Sequence, residues 1–320
     1  MPYITHDEIS SFAAERVNLP REEAKAHREQ VNRLRDRLAT KIQEAPEYGL
    51  VKSLHAGSVA KGTALKNVND LDLAVYIEAA EAPENDAQLV PWLAERLYEA
   101  TTNMGRSQFE EQTHCVTVHY RGSGLDVDVV PVLYEGEPND VGYLIKKYTG
   151  DRLKTSTRQH LDFLGSRRKT YGPEFLELIR LTKWWKRQVL RADPDFKFKS
   201  FMIELIWAHL ADQGTVLTDY PTALESFFEW ILTTGLEEQL TFTDFVARSQ
   251  LPARGASAIE ILDPVNPDNN VAVRYDSHGR ARIVQAATDA FDALSEARFA
   301  TTKGRAVDNW QLLLGPTFRG

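Results

Sequence analysis

Two segments of this chain put aspartate at alternate positions and then run on into apolar residues, which tightly limits how they can fold. In "NDLDLAVYI", residues 69–77, a strand would turn Asp70, Asp72, Ala74 and Tyr76 to one face. Leu71, Leu73, Val75 and Ile77 would turn to the other. The Cα atoms of the two aspartates would then lie roughly 7 Å apart, at about 3.3 Å per residue. "GLDVDVVPVL", residues 124–133, repeats the arrangement with Asp126 and Asp128 opposite Leu125, Val127 and Val129. Strands disfavour aspartate, and clustered anions repel one another. Solvated strand starts would explain one such pair. Two pairs ahead of buried strands point to a shared hard cation whose oxygen shell is completed by phosphate. Phosphoryl transfer uses two such ions as a clamp on the attacking and leaving oxygens.

Before the first pair comes "HAGSVAKGTALKNVN", residues 55–69. It is not a P-loop, which needs lysine directly after the second glycine, whereas Lys61 precedes Gly62. Gly57 allows close backbone approach and Ser58 can cap a short helix. Lys61 and Thr63 complete the turn as candidate nucleotide contacts. Taken alone, the stretch is equally an ordinary strand–turn–helix junction.

Pro20 opens a long amphipathic helix over residues 21–44, with Val31, Leu34, Leu38 and Ile42 as its apolar stripe. Strands are expected at 71–77, 114–120 and 124–133, the last two joined by a hairpin at "RGSG". A helix is expected near 89–102 and a long loop over 134–150. From about residue 158 the pattern is mainly helical, with candidates at 173–191, 200–212, 222–235, 281–299 and 306–314. The expected fold class is α+β: a mixed-sheet catalytic lobe over residues 1–157 and a helical lobe over 158–320, with the active site between them.

The formal net charge of −8 argues against a chain built to coat duplex nucleic acid. One cysteine, Cys115, excludes an internal disulfide and a multi-cysteine zinc site, and reads as a small buried thiol. The start "MPYITHDEISS" lacks the regions of a signal peptide, and no run of 18 apolar residues exists to span a membrane. A cytoplasmic location is the expectation.

In the helical half, Arg180, Lys183 and Arg187 share a face at i, i+3, i+7 spacing. Lys183 could reach a triphosphate, though a solvated basic face explains the spacing equally. Ser200 stands at an expected N-cap, for which capping alone is a sufficient reason.

The GS turn, the KGT turn, the DxD strand and the further aspartate on a later strand together resemble the nucleotidyltransferase fold of DNA polymerase beta and its relatives. "RLTKWWKR", "KSFMIELI" and "ILDPVNPDNNV" then resemble the oligoadenylate synthase and cyclic GMP-AMP synthase branch. "NLP", "HLDF", "FKFKSFMIELI", "DPVNPDNNVA" and the ending "GPTFRG" extend a resemblance to the bacterial CD-NTases, most like clade C, over nearly the whole chain.

The resemblance implies an enzyme of CBASS antiphage systems. It would join ATP, and potentially other nucleoside triphosphates, into a cyclic oligonucleotide second messenger with release of pyrophosphate; clade C implies cyclic tri-adenylate. It further implies two magnesium ions, with manganese as a substitute, a HORMA-type regulatory partner, and a downstream nuclease effector reached through the product. By motif, Gly57 and Ser58 would hold the donor's β- and γ-phosphates, and Lys183 and Ser200 would contact the same triphosphate. Asp70, Asp72 and Asp128 would bind the metals, and Asp128 would help deprotonate the incoming hydroxyl. Asp128 is preferred because it directly precedes Val129, Val130 and Pro131, with Asp126 as the alternative. The zinc thumb of animal cyclic GMP-AMP synthase cannot be built from one cysteine, so activation by duplex DNA is not expected. The short, polar tail "GPTFRG" is expected to be mobile. Two other readings stand beside this one: a transferase that places a nucleotide on an antibiotic, a protein or an RNA end, and a catalytically silent nucleotide-sensing scaffold.

Overall fold

Residues 2–80 and 85–320 are described in the computed structural model. In chain order they form helices α1 (His6–Phe12) and α2 (Arg21–Gln43), strand β1 (Tyr48–Ala56), the short helix α3 (Gly57–Lys61), strand β2 (Asp70–Ala79) and helix α4 (Leu89–Ala100). Strands β3 (Phe109–Glu111), β4 (Val116–Tyr120), β5 (Leu125–Leu133), β6 (Gly142–Ile145) and β7 (Arg152–Thr155) follow. Helices α5 (Thr157–Tyr171), α6 (Glu174–Ala192), α7 (Ser200–Asp212), α8 (Tyr220–Thr234), α9 (Ser277–Arg298) and α10 (Lys303–Leu314) complete the chain.

The unit Leu19–Asp162 is built on one mixed sheet in the order β1-β2-β5-β4-β3, with β6 paired to β5 and β7 to β6. Strands β2 and β5 are parallel; the other pairings are antiparallel. One face of the sheet is apolar and carries the core. Leu71, Leu73, Val75 and Ile77 of β2 and Val127 and Val129 of β5 pack there with Val31, Leu34, Leu38 and Ile42 of α2. Leu89, Val90, Leu93 and Leu97 of α4 close the same cluster. Each fully buried aliphatic side chain contributes roughly 1.5–3 kcal/mol, enough to fix a helix whose other faces are charged. The opposite face is left for the aspartates. Pro131, which has no N–H to donate, sits where β4 pairing has ended at Val129 and β6 pairing has not begun before Val132.

Four strands, β1, β3, β6 and β7, are not expected from the sequence, and two of them show why. β1 carries lysine, serine and histidine, so its composition hides its role as an edge strand. The expected 134–150 loop contains β6, only four residues long and held by backbone pairing to β5. A four-residue strand shows no legible period.

The second unit takes the N-terminal segment through Asn18 together with Phe163–Gly320. Its division from the first thus falls inside α5, near the expected 157/158 boundary, but the first residues pack with the helices. The ring of Phe12 meets Trp184 and Phe318 edge-on at 6.0 and 5.4 Å, and the side chain of Asn18 bonds both Glu177 and Arg180. Helix α7 is the central element, with Met202 through Ala208 buried. Trp207 stacks on Phe227 and donates its indole N–H to Thr182 Oγ1 at 2.9 Å. The buried guanidinium of Arg167 is satisfied by Asp212 and Asp244 together.

The tail is not loose, contrary to expectation. Phe318 is 1% exposed, and its carbonyl accepts from Gln311 Nε2 at 2.9 Å. One aromatic residue in a six-residue ending is enough to anchor it.

Candidate active site

The parallel pairing of β2 with β5 aligns the carboxylates two by two. Asp70 stands opposite Asp126, and Asp72 opposite Asp128. Because side chains alternate, all four project from the face away from the core. Loss of hydration, and then the negative charges of Asp126 and Asp128, push the Asp70 carboxyl above its ordinary value. The cluster is electrostatically strained as it stands.

Strand β4 supplies partners from the other side of β5. Thr117, opposite Asp128, donates its hydroxyl to Asp128 Oδ1 at 2.5 Å. His119, opposite Asp126, holds Asp126 Oδ1 through Nδ1 at 2.7 Å and approaches Glu110 through Nε2 at 3.3 Å. The bond to Asp126 raises the His119 pKa above its ordinary value. The sequence reading missed both residues, although the hairpin turn at "RGSG" fixes a register that sets them across from the two aspartates. Burial, reinforced by Asp128, Asp72 and Glu110, pushes the Cys115 thiol up to about 12. It stays protonated and is no nucleophile at neutral pH.

Gly57 ties the turn to the carboxylates. Ala56, the last residue of β1, pairs with Asp72, so the chain turns directly over that side chain. Gly57 has φ +65°, and a Cβ there would lie 1.6 Å from Asp72 Oδ2. Glycine is required twice at this position, for the left-handed backbone and for the contact. Ser58 and Lys61 are half-buried on α3. Thr63 is buried, and its N–H closes the turn onto Ser58 O at 2.8 Å.

Among the described residues no three His, Cys, Asp or Glu side chains are already gathered around a metal position. Asp126 and Asp128 are turned toward His119 and Thr117 instead. The donors are nonetheless all carboxylate oxygens, aligned in pairs and crowded enough to disturb Asp70, which fits a hard divalent cation.

In the second unit the two lysines of α6 have different neighbours. Lys183, 4% exposed, is paired at 2.6 Å with buried Glu204 of α7. Lys186 donates to Ser200 Oγ at 2.8 Å. Burial, then the charges of Lys183 and Arg187, push the Lys186 ammonium down to about 8, against the pull of Glu204. The sequence reading named Lys183 and missed Lys186. Ser200 is the first residue of α7 rather than its N-cap, which is Lys199.

A mixed sheet with carboxylate pairs on adjacent parallel strands, capped by a glycine turn that touches one of them, defines a nucleotidyltransferase of the polymerase-beta type. The chain belongs to the Second Messenger Oligonucleotide or Dinucleotide Synthetase (SMODS) domain family, whose model matches residues 4–164. It is 42% identical over 318 residues, 99% of each chain, to the cyclic AMP-AMP-AMP synthase of Escherichia coli strain MS 115-1. It is 30% identical over 324 residues to the CBASS oligonucleotide cyclase CdnC of E. coli strain KTE188, covering 99% of this chain and 98% of that one. The structure of E. coli MS115-1 CdnC with ATP superposes with a TM-score of 0.90, covering 99% of this chain and 100% of that one. Vibrio cholerae DncV, 10% identical, shares the fold with a TM-score of 0.76 over 98% of this chain and 96% of that one. The chain is thus a CD-NTase of the CdnC type and a cyclic oligonucleotide synthase, which decides among the three readings. Among the described residues no helix is long and apolar enough to cross a membrane.

Proposed function

We propose that this enzyme converts ATP into cyclic tri-adenylate, using Asp70, Asp72 and Asp128 as its metal-binding carboxylates. The observation that carries the assignment is the register of β2 against β5, with Asp72 opposite Asp128 and under the Gly57 turn. Two divalent cations, magnesium or manganese, would neutralise the phosphates and ease ionisation of the attacking hydroxyl. Gly57, Ser58 and Lys61 hold the donor's outer phosphates; Thr63, expected as a nucleotide contact, is instead fully buried and closes the turn from beneath. A ribose hydroxyl attacks the α-phosphorus, its proton passes to Asp128 Oδ2, and the bond to the β-phosphate breaks to release pyrophosphate. Thr117 occupies Asp128 Oδ1 and so orients the carboxylate. Asp128 is favoured over Asp126 because it pairs with Asp72, under the Gly57 turn, and directly precedes Val129, Val130 and Pro131.

Ser200 is assigned to polyphosphate oxygens, together with Lys186 in preference to Lys183. Lys183 is matched to a carboxylate, whereas Lys186 meets a neutral hydroxyl and would be relieved by an anion. The 42%-identical relative named for cyclic AMP-AMP-AMP supports the base and ring size. A HORMA-type partner is supported by the CdnC:HORMA-deltaN complex, which matches with a TM-score of 0.89. The product would act through an effector nuclease of the same defence system, within the cytoplasm.

The test is to give the purified enzyme each nucleoside triphosphate singly with magnesium, with and without a HORMA-type partner, and to weigh the products. A cyclic trimer from ATP alone is expected. A linear product, or a cyclic product that requires a second base, would overturn the assignment.

A further inference from the structure

Away from the aspartate face, a cavity of about 530 Å3 opens between α2 and the β4–β5 turn. Gln30, Arg33, Leu34 and Arg37 form its helical wall, at the i, i+3, i+4, i+7 spacing that places them on one stripe. Arg121 and Ser123 of the turn face them, and Tyr120 and Met104 join Leu34 in an apolar floor. Among the described residues no aspartate or glutamate lines the cavity, although the chain carries a net charge of −8. The three guanidinium groups are exposed and face a cavity that no described aspartate or glutamate lines, an arrangement that an anion would stabilise.

The walls are fixed from within. Gln30 Nε2 donates to Ser123 Oγ at 3.1 Å, and one Arg121 Nη donates to Ser107 Oγ at 3.0 Å. Gln108 Nε2 donates to His119 O at 2.7 Å. Burial raises the Tyr120 hydroxyl above its ordinary value, and the charges of Arg37 and Arg33 oppose the rise, so both guanidinium groups act on the floor. Planar, always-charged forks suit phosphate oxygens in pairs, and the volume lies in the range of small-molecule sites.

We propose that this cavity is a second ligand site, separate from the catalytic aspartates, that binds a small polyphosphate anion of nucleotide size through Arg33, Arg37 and Arg121. The inference does not depend on the identity of the product. The phosphate groups could belong to a nucleotide, seated with its ring on Tyr120 and Met104, or to inorganic polyphosphate. The cavity is open to solvent and its arginines are exposed, so a duplex is the competing occupant.

Isothermal titration calorimetry on the full chain tests this, in EDTA and in an Asp70→Asn/Asp72→Asn background that silences the metal-dependent cradle. ADP, inorganic tripolyphosphate and a short DNA duplex are the probes. Saturable binding of ADP or tripolyphosphate is expected, weakened at least tenfold by Arg33→Gln/Arg37→Gln. Binding should stay within twofold in Arg35→Gln, a charge change on the same helix outside the cavity. Tighter binding of ADP than of tripolyphosphate would assign a nucleotide; equal binding would assign phosphate recognition alone. Thermal unfolding of each variant separates lost binding from lost fold. No saturable binding, equal weakening in both arginine variants, or Arg33/Arg37-dependent binding of the duplex alone would overturn the proposal.

Discussion

Gly57→Ala should damage catalysis far more than it damages the fold. At φ +65° an alanine costs roughly 1–2 kcal/mol of backbone strain, which lowers the unfolding temperature by roughly 2–8 °C in domains of ordinary size. The larger effect is local. The new Cβ would fall 1.6 Å from Asp72 Oδ2 and 2.3 Å from its Cγ, so the carboxylate must move by more than an ångström. Displacement of a catalytic group by about 1 Å costs on the order of 10²-fold in rate. Steady-state pyrophosphate release, measured well below the unfolding temperature, should therefore fall by about two orders of magnitude. A companion variant, Gly57→Ala/Asp72→Gly, removes the clash: it should recover part of the lost stability and none of the activity. Gly57→Ala working within threefold of wild type would refute the claim that the turn positions Asp72.

Three further outcomes follow from the same geometry. Asp128→Asn should abolish product formation, with a rate loss of about 10³-fold or more. Asp126→Asn should cost tenfold or less and return the His119 pKa toward its ordinary value, which NMR titration of the imidazole would show. The apparent affinity for ATP should weaken as pH rises through about 8, because Lys186 loses its proton there in the free enzyme; Lys186→Gln should flatten that profile. Lys183→Met should destabilise the protein by roughly 3–5 kcal/mol in denaturant titrations by removing the ammonium paired with buried Glu204, and Lys183→Met/Glu204→Leu should recover most of that loss.

Much of the site was legible because alternation and register are sequence properties. The pattern of β2 and β5 sets all four aspartates on one face, and burial on the opposite face makes a one-residue slip costly. Helix α2 was readable for the same reason, since its apolar stripe has a single period over 23 residues. What stayed hidden depends on neighbours distant in the chain. β1 takes its place by pairing with β2, and no hydrophobic rhythm of its own announces it. Lys183 and Lys186 lie one helical turn apart, and only the packing of α7 decides that Glu204 meets one and Ser200 the other. Composition made the tail look mobile, whereas the anchoring of Phe318 depends on rings at Phe12 and Trp310.

The central claim is that the Asp72–Asp128 register forms the catalytic metal site of a cyclic oligonucleotide synthase. Its most direct test is the mass spectrum of products from ATP and magnesium, comparing wild-type enzyme with Asp72→Asn and with the HORMA-type partner present in both. A cyclic tri-adenylate peak that vanishes in the variant, while the variant keeps its fold by circular dichroism, is the predicted result. The same peak persisting in folded Asp72→Asn would contradict the account.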